Sequence, residues 1–187
     1  MLFQFDIGQN TYLRLLEARH AEALFHLVDQ NREHLRKYMP WERTTLEVKD
    51  TRGFINYSLA EFARGGSLQL GIWVDGEIAG TIGINRFDHL ENSGEIGYWL
   101  SKEHCGRGII TRAVQALLDE CFYERGLHRV SIGCAKCNKP SRAVAERLGF
   151  RLEGTIKEGT PVGGEYEDRL IFRMLASEWK NRGTIEG

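Results

Sequence analysis

The chain is expected to fold as one α/β domain in which helices cover a mixed sheet. Its 187 residues suit a single domain spanning 1–187, with no Pro/Gly/Ser-rich linker or repeat to divide it. Its apolar residues change period along the chain, from helical to alternating and back. The middle carries Asp75-Gly76, a hairpin signal, between two alternating runs.

Tyr12–Leu16 reads as a first strand, with Leu13 and Leu15 on one face. Ala21, Leu24, Phe25, Leu27 and Val28 fall at helical spacing. A second amphipathic helix is expected within Leu46–Arg64, where Phe54, Ile55, Leu59 and Phe62 share a face, and Gly65-Gly66 ends it. Leu68, Leu70, Ile72 and Val74 alternate; Ile78 and Ile82 continue beyond the turn, and Glu95–Leu100 comes after a polar loop at 88–93, giving three neighbouring antiparallel strands. Val114, Leu117, Leu118 and Cys121 mark a helix over about Ile109–Arg125. A strand at Val130–Cys134, a short helix at Ser141–Leu148 capped by Gly149, and strands near Leu152–Ile156 and Leu170–Met174 complete the order. A mixed sheet clothed by helices buries these faces most simply.

Composition excludes several function classes. The charges nearly cancel, 25 Lys and Arg against 26 Asp and Glu, which is not the footprint of a protein that coats nucleic acid or an anionic membrane. No uninterrupted apolar run exceeds three residues, far short of the ~20 needed to span a bilayer. The start, Met1-Leu2-Phe3-Gln4-Phe5-Asp6, has no secretory pattern. The four cysteines, 105, 121, 134 and 137, all lie in the second half and read as reduced thiols in a cytosol, not as a disulfide framework. Cys134-Ala135-Lys136-Cys137 has C-x-x-C spacing but lacks a second ligand pair for zinc and ends a strand where a redox pair would start a helix, so no metal is expected. The six histidines show no ligand spacing either; His104, beside a glycine-rich loop, reads as a solvent-facing residue.

The most informative segment runs from Tyr98 to Thr111. A strand enters a loop, Cys105-Gly106-Arg107-Gly108, that opens directly into a helix at Ile109-Ile110-Thr111. Glycines allow close backbone approach, and the free N–H groups of a helix start form a site for phosphate. Arg107 can add a charge-assisted contact. The third glycine of a dinucleotide fingerprint is replaced by Thr111, and no Gly-Lys-Ser/Thr triplet is present, so a pyrophosphate site of another kind is indicated.

With these residues in view, the chain resembles the GNAT superfamily of N-acetyltransferases, and most closely the RimJ/RimL type that acetylates the N-termini of ribosomal proteins. The resemblance rests on Leu13-Arg14, Gly80 with Ile82-Gly83, Glu95-Ile96-Gly97-Tyr98-Trp99-Leu100 and Gly106-Arg107-Gly108-Ile109. It continues through Asn138, Ser141, Val144 and Glu146–Phe150 to Glu153-Gly154. The superfamily loop, R/Q-x-x-G-x-G/A, has Cys105 at its first position and Ile110 at its last, so a long polar side chain is lost and a bulkier residue gained. The family holds pyrophosphate mainly by main-chain N–H groups, which these changes leave in place.

The resemblance implies a GNAT-like, mostly antiparallel sheet with a splayed strand pair, here Glu95–Leu100 and Val130–Cys134, covered by helices on both faces. It implies acetyl-CoA as cosubstrate, held by Leu100, Cys105–Thr111, Asn138 and Ser141. It also implies direct attack of an amine on the thioester, with a main-chain N–H holding the oxyanion. Ser141 is then placed to protonate the departing thiolate; following Pro140 before a helical run, it is equally an N-cap candidate. Glu95 is the candidate base, with an ion-paired strand-end carboxylate as the plainer reading. Trp41, Tyr98 and Tyr166 are candidate walls of the acceptor pocket, and Glu165, Glu167 and Asp168 read as a solvated turn able to attract a cationic amine. An α-amine costs only about 1 kcal/mol to deprotonate at pH 7 against about 5 for lysine, so a weak or water-linked base suits a protein N-terminus. Small amines such as polyamines or antibiotics, and a non-catalytic acyl-CoA-binding module, are the competing functions. The resemblance further suggests a homodimer.

Overall fold

The structure is a computed structural model that describes residues 4–184; the first three residues of the segment read for a secretory signal lie outside them. Eight strands form one sheet: β1 (Gln4–Asp6), β2 (Thr11–Leu15), β3 (Leu68–Val74), β4 (Glu77–Asp88), β5 (Ser93–Leu100), β6 (Arg129–Ala135), β7 (Arg151–Val162) and β8 (Glu165–Leu175). Their order is β1-β2-β3-β4-β5-β6-β8-β7, and β5–β6 is the parallel pair in an otherwise antiparallel sheet. The expected three-stranded meander is present, closed at Asp75-Gly76, where φ is 51° and 90° and both residues take the left-handed shape that this tight turn requires.

Helices cover both faces. On one lie α1 (Ala21–Gln30), α2 (Arg32–Arg36) and α3 (Val48–Ala63); on the other lies α4 (Ile109–Asp119), with α5 (Lys139–Arg147) and α6 (Ala176–Lys180) completing the domain. Strand parity divides the core. Leu68, Leu70, Ile72, Ile82 and Ile84 meet Ala113, Val114, Leu117 and Leu118 of α4 in the larger cluster. Trp73 and Trp99 face the opposite way and join Leu24, Val28, Leu35 and Ile55 beneath α1 and α3.

The short helix expected at Ser141–Leu148 is Lys139–Arg147, α2 has no counterpart among the expected elements, and the following elements differ from expectation, each for a local reason. The helix expected to reach Arg125 is α-helical to Asp119 and ends in a π-helical turn, Glu120–Glu124, with Arg125 N–H donating to the Glu120 carbonyl. The final two strands are far longer than expected. Register shifts at Leu152/Gly154 and Ile156/Thr160 break the alternation in β7, and most of its residues are exposed, so no apolar pattern marks it beyond Ile156. β1 has no counterpart in the sequence reading because three residues, Gln4 and Asp6 exposed on either side of Phe5, carry too short a periodic signal. Glu165, Glu167 and Asp168 lie on β8, not in a turn; Gly163-Gly164 makes the turn, and Asp168 pairs with Lys157 and Lys136.

Among the described residues no helix is long and apolar enough to cross a membrane. Leu117 is fully buried between α4 and the sheet. Leu117→Ala is expected to lower the unfolding free energy by about 2–5 kcal/mol in urea titrations; a loss below about 1 kcal/mol would show that α4 is not packed in this way.

Candidate active site

The parallel pairing of β5 and β6 runs from Ser93↔Arg129 to Ile96↔Ile132 and stops. Beyond it, β5 remains paired to β4 as far as Leu100, and β6 to β8 as far as Ala135. Gly97–Leu100 and Gly133–Ala135 therefore diverge as two walls of a wedge, with the main-chain groups that alternate residues turn inward left without a strand partner. A cavity of about 1250 Å³ occupies this wedge and extends under α1–α3.

At one end the walls lead to the glycine loop. Gly106 and Gly108 have φ of 79° and 71°, and Gly108 is the N-cap of α4 with no side chain capping it, so the amides of the first turn are free for an anion. Arg112 ties the loop down by donating to the carbonyls of Ile7 and Arg107, at 3.0 and 3.2 Å. Leu100, Cys105, Gly106 and Ile110 line the cavity; Arg107, Gly108, Ile109 and Thr111 do not. The Ile109 side chain is buried in the core and Thr111 Oγ1 accepts from Arg147, so each can offer a ligand only its main chain. His104 is not the solvent-facing residue expected: its Nδ1 is 2.7 Å from Oγ of the buried Ser101.

Deeper in the wedge, Tyr98 Oη lies 2.9 Å from Ser141 Oγ, spanning from β5 to α5. The N-cap of α5 is Asn138, whose side chain accepts from Ser141 N–H at 3.3 Å; this corrects the capping alternative for Ser141, whose hydroxyl meets Tyr98 instead. Tyr98 is thus bonded to Ser141 and is more than a bare pocket wall. Burial pushes its hydroxyl up to about 12 against the opposing hydrogen bond from Ser141, so it stays protonated at neutral pH. Burial likewise raises the thiols of Cys105 and Cys134, which line the cavity, and keeps both from acting as thiolates.

The other end is the larger chamber. Glu95 and Arg169 line it and are ion-paired, the guanidinium reaching across Gly133, where a methyl group would lie 2.5 Å from it. The ion-paired reading of Glu95 therefore holds in geometry. Trp41 lies on the chamber wall, 5.8 Å between ring centroids from Trp99. The turn that carries Trp41, Pro40–Thr44, is anchored by Glu42, 1% exposed, which accepts from Arg32 at 3.0 Å and Arg36 at 3.3 Å. Burial raises the Glu42 carboxyl, but Arg36 and Arg32 overcome this and hold it below the usual range. Tyr166 does not line the cavity. It pairs with Pro161 on β7 and so shares its face, while Thr160 and Val162, which do line the cavity, face the other way; Tyr166 is 72% exposed.

Arg169, Tyr38, Gln69 and Asn85 also line the cavity, and nothing in their sequence context singles them out. Tyr38 Oη donates to the Cys137 carbonyl at 3.3 Å, joining α2 to the β6–α5 turn. Glycines at cavity-lining strand positions, 97 and 133, were the signal available. Among the described residues no group of three or more His, Cys, Asp or Glu is placed to hold a metal.

Known proteins share this geometry. Residues 10–151 match the family model described as the acetyltransferase (GNAT) domain. The chain belongs to the GNAT acetyltransferase family. It is 34% identical over 180 residues to the putative ribosomal N-acetyltransferase YdaF of Bacillus subtilis, covering 96% of this chain and 98% of that one. It is 31% identical over 173 residues to the ribosomal-protein-serine acetyltransferase of Escherichia coli K12, covering 92% and 97%. A solved structure of RimL, a ribosomal L7/L12 α-N-protein acetyltransferase in complex with coenzyme A, superposes with a TM-score of 0.90 at 27% identity, covering 94% of this chain and 99% of that one. The GNAT chain is thus an N-acetyltransferase with acetyl-CoA as acyl donor, and the wedge has the unpaired backbone and the anion-accepting helix start that such a donor requires.

The raised Tyr98 hydroxyl gives a pH prediction. The unfolded chain loses this proton near pH 10 and the folded chain near 12, so stability falls as pH rises between them. At pH 11 the wild type should lose about 1 kcal/mol more than Tyr98→Phe, relative to pH 9, in paired urea titrations; parallel losses would contradict the burial of this hydroxyl.

Proposed function

We propose that this enzyme transfers the acetyl group of acetyl-CoA to the N-terminal α-amine of a ribosomal protein, in the cytoplasm where such proteins are made. The observation that carries this reading is the order of groups along the wedge: anion-accepting amides at the loop, a Tyr98–Ser141 hydroxyl pair in the middle, and the Glu95 carboxylate at the chamber. Support comes from relatives named for ribosomal proteins that match nearly the whole chain.

The free amides of Gly106–Thr111 hold the diphosphate, and the wedge backbone of Gly97–Leu100 and Gly133–Ala135 pairs with the amides of the pantetheine arm as a sheet edge pairs with an added strand. A main-chain N–H of β5 faces the thioester oxygen and stabilises the charge that develops there. Glu95, held in place by Arg169, takes the proton of the attacking amine as the new C–N bond forms. Ser141 gives its proton to the sulfur as the C–S bond breaks, and Tyr98 keeps the Ser141 hydroxyl aimed into the wedge. Asn138 fixes the backbone of Ser141 by capping α5. No acyl-enzyme forms, consistent with the protonated state of both cavity thiols. An α-amine is close to neutral at pH 7, so this modest machinery suffices.

Coenzyme A release should be followed with peptides copying ribosomal-protein N-termini. Ser141→Ala is expected to lower kcat about 10- to 100-fold with little change in acetyl-CoA affinity, because a thiol of pKa near 8.5 leaves with modest help. Glu95→Gln is expected to lower kcat/KM for the peptide, and an unchanged kcat/KM would show that Glu95 is not the base. No release with any N-terminal peptide, alongside turnover of a polyamine, would overturn the acceptor assignment.

A further inference from the structure

The floor of the acceptor chamber is built in an unusual way. Gly83 on β4 and Gly97 on β5 are register partners, and Gln69 on β3 sits directly across from Gly83. With no side chains at the two glycines, two neighbouring amides lie flat over them. A methyl group at Gly83 would come within 2.5 Å of Gln69 Oε1, and one at Gly97 within 2.6 Å of Asn85 Nδ2. The two amides are joined, Gln69 Nε2 donating to Asn85 Oδ1 at 3.2 Å, and both line the cavity. That bond uses one group of each. Among the described residues Gln69 Oε1 and Asn85 Nδ2 have no hydrogen-bond partner, so the joined pair presents one acceptor and one donor to the chamber. Exchanging oxygen and nitrogen in both amides leaves the same complement.

We propose that the Gln69–Asn85 pair reads the main chain of the acceptor, binding the N–H and C=O of a peptide unit just behind the amine that is acetylated. The inference rests on the peptide-acceptor reading of the chamber and deepens it. Glu95 and Gly97 stand two residues apart on the same face of β5, about 7 Å, which is the length of two residues of extended peptide. An amine at Glu95 therefore carries its first or second peptide unit over Gly97, where the pair lies. A peptide offers one donor and one acceptor in each unit and satisfies both amides. A polyamine offers donors and cations only, so Asn85 Nδ2, which is exposed, gains no partner from it and keeps its contact with solvent. The pair selects a peptide over a small amine without reading any side chain.

The test pairs enzyme variants with backbone-edited substrates. An N-terminal peptide is compared with analogues in which an ester replaces its first or its second peptide bond, deleting one N–H at a time. For wild type, one of the two esters should lose about 3- to 10-fold in kcat/KM. Gln69→Ala should lower kcat/KM for the parent peptide by a similar factor and show no further loss with that ester. Asn85→Ala should raise KM for the parent peptide, and neither variant should change affinity for acetyl-CoA. Equal ester losses in wild type and Gln69→Ala, or unchanged peptide kinetics in both variants, would overturn the inference while leaving the acetyltransferase reading intact. Should an alanine variant fail to fold, judged by its melting temperature, Gln69→Met replaces it at nearly the same volume. Wild type that tolerates both esters without loss overturns the inference by itself, and absence of turnover with every peptide overturns both.

Discussion

Two parallel strands that pair for four residues and then part govern most of this molecule's architecture and chemistry. Backbone N–H and C=O groups removed from water need partners, and Gly97–Leu100 and Gly133–Ala135 have none across the wedge that separates them. The sheet could close the gap only by drawing β6 towards β5, yet each strand is held on its other side, β5 by β4 through Leu100 and β6 by β8 through Ala135. The opening is therefore a fixed property of the fold, and a ligand with amides of its own completes it.

The two faces of the sheet divide the labour. One is filled by α4, whose apolar stripe makes the rigid platform from which the glycine loop emerges. The other has glycines where a core would have side chains, so that Arg169, Gln69 and Asn85 lie flat and polar beneath the chamber. Aromatic groups close that face at Trp41 and Trp99. The buried Glu42 carboxylate and its two arginines fix the turn bearing Trp41, which makes the chamber wall part of the folded structure and not a loose cover.

Elements with strong periodicity were legible in the sequence: the central meander, the α4 stripe and the Gly-rich entry to α4 all stand where their residues place them. The strand–loop–helix geometry proposed for the donor end was legible too, because a strand, two glycines and a helix start are contiguous in the chain. The acceptor end was not. Its groups come from β3, β4, β8 and the turn after α2, which only the folded sheet brings together, and Arg169 meets Glu95 from 74 residues away. Tyr166 misled because an aromatic beside acidic residues suggests a pocket, whereas the parity of β8 turns it to the outer face. The register shifts within β7 hid its length beyond Leu152–Ile156, since each one breaks the alternation by which strands are read.

In the proposed reading the parted strands and the first turn of α4 act together as one binding surface for the acyl donor. Amide hydrogen exchange, with and without acetyl-CoA, tests this residue by residue. Saturating acetyl-CoA should slow exchange in Gly97–Leu100, Gly133–Ala135 and Gly106–Thr111, while the amides of β7 keep their rates. Protection confined to other segments, or unchanged exchange in both walls of the wedge, would contradict a single donor surface.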